Sequence, residues 1–196
     1  MGKTVLETFT IFPFSIVLAL ALGEAFKQCV SEKDNGSIQW DRTLALLTFL
    51  LLILPFYQGM NRYLLQTYGA SAATTNEFSA VFLIMDGAAF MAESAIFFAM
   101  SRNLSNSRWI YFYSTVLALL FVDSCWGVSA SQHASDAASV AIRSWIELNI
   151  ASCIFLLGLI WLGRRFSNLS VAFVGAIAML IRTIFDYIIS WDFYFS

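Results

Sequence analysis

Acids and arginines embedded in apolar sequence are the residues of this chain with the most chemistry to offer. Asp86, Asp123, Glu147 and Asp186 fall within apolar runs, with Glu93 deeper in its run and Glu24 near the end of another. Arg62 and Arg182 are the candidate cationic partners. An ionisable side chain in a spanning helix costs roughly 2.5 to 3.5 kcal/mol on insertion scales and is a functional hypothesis by default. Four acids in the outer halves of their runs face two arginines, with Glu93 still unpaired. Either one or two carboxyls hold a proton at neutral pH, or a cation or a water-filled cavity sits among them. A carboxyl that stays neutral is only a hydrogen-bond donor, whereas one that titrates can relay protons.

Spacing groups these residues. At 100° per residue, Asp86 and Glu93 share one stripe of the third run with Phe90 and Phe97, while Ala88, Ala92, Ala95 and Ala99 form a small-residue stripe opposite. Small residues let helices approach closely, so the third helix is expected to be central and the most buried. In the sixth run Gly175, Ala178, Arg182 and Asp186 share a face, and Arg182 and Asp186 are four apart, the spacing at which helical side chains meet. One reading has this pair neutralise itself and pin the bundle; the other has Arg182 shared with Asp86 or Asp123. Pro13 and Pro55 each free a backbone carbonyl and kink their helix. Beside Pro55, the residues Tyr57, Gln58, Asn61 and Arg62 form either a polar interfacial end or a vestibule to the acids.

Enzymatic chemistry is the least supported class. There is no GxSxG elbow, HExxH or glycine-rich phosphate loop, and no base for an intramembrane serine dyad. Cys29, Cys125 and Cys153 are widely spaced without a CxxC pattern and read as buried small apolar residues. The single histidine, His133, lies in a Ser/Ala-rich loop and lacks the companions a metal or haem site needs. No cofactor is implied.

These residues must be positioned by a membrane bundle. The 196 residues are 59% hydrophobic and only 12% charged, with a mean hydropathy of +0.73, about half the charge of a soluble domain. A net charge of −2 leaves no basic surface for nucleic acid. Polar punctuation marks six apolar segments, roughly 8 to 29, 43 to 64, 79 to 101, 109 to 130, 144 to 163 and 170 to 192, each about one bilayer long. The expected fold is an all-α polytopic bundle of six transmembrane helices forming a single domain over 1–196. The first segment could pass for a signal peptide, but Glu7 spoils the basic leader, and the N-terminal sequence matches myristoylation poorly.

Cationic residues orient the bundle. Lys27, Lys33, Arg42, Arg102, Arg108, Arg164 and Arg165 flank the odd loops, against Lys3, Arg62 and Arg143 on the other side, seven to three. Both termini are therefore expected outside, in a bacterial inner membrane or another plasma membrane. Aromatic belts are expected at both interfaces, with Trp40, Trp109, Tyr113 and Trp161 inside and Trp126, Trp145, Tyr187, Trp191 and Tyr194 outside. The turns at Asn35, Asn103 and Asn168 share an Asn-x-Ser pattern, and the last two precede Trp126 and Trp191 by 23 residues. This is either the usual composition of polar turns or a trace of three helical hairpins. The favoured function is a channel or transporter-like protein for protons, small cations or a small solute. The alternative is a non-catalytic subunit, scaffold, sensor or effector acting through a membrane-protein partner or a homo-oligomer, with the buried charges structural.

Overall fold

A computed structural model describes residues 12–30, 40–68, 77–104 and 109–195. The apolar runs fold as α1 (Phe12–Val30), α2 (Trp40–Tyr68), α3 (Glu77–Asn103), α4 (Trp109–Ala130), α5 (Asp136–Leu162) and α6 (Asn168–Ile189), followed by the short α7 (Trp191–Phe195). The first six are each long and apolar enough to cross a membrane. The chain is thus an all-α, six-span integral membrane protein. Lys3, Glu7, Lys33, Asn35, Arg108 and the polar stretch just after Tyr68 lie outside the described residues.

Local sequence sets the helix boundaries. Ser135 caps α5, its hydroxyl accepting from the Ala138 amide at 3.4 Å, and Ser167 caps α6 through the Ser170 amide at 3.2 Å; each satisfies an otherwise orphaned amide. Between these helices Gly163–Arg165 tightens into a 3-10 turn. Pro55 sits inside α2 without ending it.

The helices pack as a ring in the order α1, α3, α4, α5, α6, α2, with α2 also touching α3 and α5. The most extensive contacts join α4 to α5, α1 to α3 and α2 to α6. Along the axis toward the end bearing Arg102, the core is filled by Phe49, Phe97, Met100, Phe112 and Leu104.

Several expectations about burial are corrected. On α3, Asp86, Phe90, Glu93 and Phe97 are buried as expected, but Ala88, Ala92, Ala95 and Ala99 are all exposed. Small size permits close approach without causing it, and here the acid-bearing face is the one in contact. The most buried span is α4, at 44% of its residues against 28% for α3. Close approach falls to glycines instead. A Cβ on Gly175 would clash with the Tyr113 hydroxyl, and one on Gly163 would lie 2.8 Å from the Trp109 ring. Tyr113, Trp126 and Trp145 are core residues rather than members of a belt, whereas Trp40, Trp161 and Trp191 are exposed as interfacial anchors would be. The three cysteines are free, but Cys125 is exposed and the other two only partly buried.

Candidate functional site

The end of the bundle that carries the acids is formed by the C-terminal turns of α2, α4 and α6 and the N-terminal turns of α3 and α5. Two polar networks occupy it.

Asp86 is the centre of the first and is 1% exposed. Its Oδ2 accepts from the Tyr63 hydroxyl at 2.6 Å and the Tyr68 hydroxyl at 2.7 Å, and its Oδ1 from the Trp126 indole N–H at 2.9 Å. His133 Nε2, in the turn between α4 and α5, lies 3.2 Å from Oδ2 and 3.1 Å from the Tyr63 oxygen. Tyr63 has one proton and directs it to Asp86, so Nε2 must carry its own hydrogen to bond the carboxylate. The imidazole stacks on Phe82 at 4.1 Å, and its buried Nδ1 has no partner among the described residues. Four donors from α2, α4 and the turn thus converge on one carboxylate of α3. Such charge-assisted bonds are the strong ones.

Arg182 is the centre of the second network and is 9% exposed. One terminal nitrogen donates to Asp186 at 3.3 Å; the other donates to the Asn149 carbonyl oxygen at 2.7 Å, with Nε at 3.3 Å from the same atom. The Asn149 amide in turn donates to Asp123. Asp186 also accepts from the Tyr194 hydroxyl at 3.1 Å, and Trp145 donates to Ser190 at 3.0 Å. Tyr194 belongs to α7, beyond the last span. Burial and the neighbouring Asp186 charge push its hydroxyl well above the ordinary tyrosine range, so it remains a donor.

Glu93 stands between the networks and is fully buried. Its carboxyl lies beside that of Asp123, with Asp86 the next acid, and neither of its oxygens accepts from a cation or a neutral donor among the described residues. The adjacent Ser94 hydroxyl is likewise without a partner. Asp123, Arg182, Asp186, Tyr194, Trp126 and Trp145 line a cavity. Its volume is about 40 Å³, enough for one or a few waters.

The structure brings Asp86, Glu93, Asp123, Arg182 and Asp186 to one end but puts Asp86 in one network and Asp123, Arg182 and Asp186 in the other, with Glu93 between them, and Arg182 bonds neither Asp86 nor Asp123 directly. Glu147 is exposed on the outside of α5 and takes no part. Arg62 donates to the Phe193 carbonyl at 3.1 Å rather than to an acid, and Gln58 accepts from the Tyr187 hydroxyl at 3.1 Å. The polar end of α2 therefore holds the C-terminal segment in place. Sequence reasoning missed Tyr63, Tyr68, Trp126, His133, Asn149 and Tyr194, because neutral donors carry no insertion cost large enough to flag them. Asn149, an amide in the middle of an apolar helix, was the readable signal. Among the described residues, no cluster of three histidine, cysteine or acidic side chains is placed to hold a metal ion.

The fold and site define a class, six-helix integral membrane proteins with an intramembrane polar network. No family model, curated protein or solved structure matches the chain.

Proposed function

We propose that this protein is transporter-like and binds and releases protons at the Glu93–Asp123 carboxyl pair. The observation that carries the reading is Glu93, a fully buried acid that lies beside a second acid and has no cation or neutral donor bonded to its oxygens among the described residues. A structural carboxylate in a bundle is expected to be caged, as Asp86 is. Two facing carboxyls in a low-dielectric interior instead hold one proton between them. Asp123 borders the cavity, which has room for a water beside that proton. The apolar plug of Phe49, Phe97 and Met100 speaks against an open pore and for a site reached from one side at a time.

The cavity end faces outside in this reading, with both termini outside a plasma or bacterial inner membrane. Lys27, Arg42, Arg102, Arg164 and Arg165 gather at the opposite end, against Arg62 and Arg143 at the cavity end. Cysteines placed at Gln132 and Arg164 in a cysteine-free background separate the alternatives, with impermeant reagent in intact cells expected to label only the first.

Flux tests the function. In proteoliposomes carrying an internal pH-sensitive dye, the parent protein should dissipate an imposed pH gradient. Glu93→Gln and Asp123→Asn should each lower that rate at least tenfold while the protein remains folded. Equal rates in parent and variants, or none in the parent under any proton or small-cation gradient, would favour the second reading. That reading is a non-catalytic scaffold or subunit, and the full partnering of Asp86 and Arg182 supports it, since such bonds serve helix registration.

A further inference from the structure

At the end of the bundle remote from Asp86, a groove of about 600 Å³ opens between α5 and α6 onto the lipid-facing surface. Ile154, Phe155, Leu162, Phe166 and Val174 form its walls. Gly158 also lines it, and a Cβ there would meet nothing within 4 Å, so the space over this position is left open. From Ile154 to Gly163 the α5 side runs about 14 Å at 1.5 Å per residue. That is close to one leaflet of a hydrocarbon core about 30 Å thick.

The groove ends at charge. Arg164 and Arg165 occupy the 3-10 turn between Gly163 and Phe166, both of which line the groove. Both arginines are exposed, and neither has an acidic partner among the described residues. Trp161, 72% exposed, stands one turn away, where a tryptophan marks the headgroup level.

We propose that this groove binds an anionic phospholipid, one acyl chain lying over Gly158 and the phosphate held by Arg164 and Arg165. Length and charge together select this occupant. A partner helix crossing the membrane would need an apolar track about twice as long, and it would leave two guanidinium groups without counter-charge. A chain one leaflet long that ends in a net negative headgroup fits both ends of the groove. A zwitterionic lipid supplies the chain without the net charge.

Native mass spectrometry of the detergent-solubilised protein, after equilibration with equal amounts of dioleoyl phosphatidylglycerol and dioleoyl phosphatidylcholine, tests this directly. One phosphatidylglycerol should be retained in preference to phosphatidylcholine. The double variant Arg164→Gln/Arg165→Gln should reduce that retention on the order of tenfold. Gly158→Leu should abolish it with both arginines present, whereas Arg143→Gln at the other end should leave it unchanged. Equal retention of the two lipids, retention that survives Gly158→Leu, or a loss with Arg143→Gln equal to that of the double variant would overturn the proposal. So would a dimer that Gly158→Leu dissociates, because it would put a second copy of the chain in the groove.

Discussion

The Thr183 hydroxyl of α6 donates at 2.9 Å to the Leu51 carbonyl of α2, the carbonyl that Pro55, lacking an N–H four residues on, leaves without its helical partner. One side chain thus repairs the gap in a neighbouring helix and joins two spans. Thr183→Val should lower stability by about 1 kcal/mol, the usual net worth of such a bond within a membrane. In a Pro55→Ala background the helix recovers its own bond, and the same substitution should cost close to nothing. Unfolding titrations of the four proteins in mixed micelles measure the coupling; additive losses would show that Thr183 does not serve the proline gap.

Arg182 is held by Asp186 and Asn149, not by two acids, which reorders the expected costs. Arg182→Leu leaves Asp186 without its counter-charge and Asn149 without a donor, and should destabilise by about 3 to 5 kcal/mol. Asn149→Leu removes two bonds to the guanidinium and one to Asp123, so it should also be costly. Asp186→Asn should be milder, because the amide oxygen still accepts from Arg182 or Tyr194. A loss for Asn149→Leu smaller than that for Asp186→Asn, read by thermal melting in detergent, would contradict the bridging role.

Asp86 carries a different expectation. Three donors share its Oδ2 and the indole N–H of Trp126 takes the other oxygen. Asparagine can offer only one accepting oxygen, so Asp86→Asn would bring an N–H₂ against donors. It should destabilise by on the order of 3 kcal/mol, while Tyr68→Phe, which removes one of four donors, should cost about 1 kcal/mol. If Asp86→Asn melts like the parent, the cage is not structural.

The six spans were readable because lipid imposes one dominant constraint: about 20 apolar residues in a row have few other fates. The buried stripe of Asp86, Glu93 and Phe97 was also readable, since its period is that of a single helix. What could not be read was the partner across each interface. Asp86 and Arg182 each needed partners, but periodicity does not say that Tyr63 lies beside one and Asn149 beside the other. His133 was legible as a loop residue, yet its place over Asp86 depends on how the turn between α4 and α5 folds back. The alanine stripe of α3 misled because an alanine face suits a helix neighbour and lipid equally well, and sequence alone does not choose.

That choice is measurable. Ala92→Leu and Ala95→Leu point at lipid and should change stability by less than about 0.5 kcal/mol. Gly175→Ala, the smallest enlargement there is, places its methyl against Tyr113, whose hydroxyl is tied to the Ala172 carbonyl at 3.1 Å. It should cost about 1 to 3 kcal/mol through overpacking. The opposite ranking in a detergent melt would return the tight contact to α3.

Glu93 separates stability from function. Its carboxyl has no cation or neutral donor bonded to it among the described residues, and the charged groups beside it are acids, so removing it gives up only the proton shared with Asp123 and relieves the cost of burying a polar group. Glu93→Met, close in volume and apolar, should hold or raise stability by on the order of 1 kcal/mol. Glu93→Gln should be near neutral. On the proposed reading, the Glu93 carboxyl costs stability and supplies a titrating group in return. The decisive comparison measures both properties on the same samples. Higher melting temperature with lost proton flux would match a titrating group, whereas a large loss of stability in Glu93→Met would mean that the carboxyl has a structural partner and that the proton-binding assignment should pass to Asp123 alone.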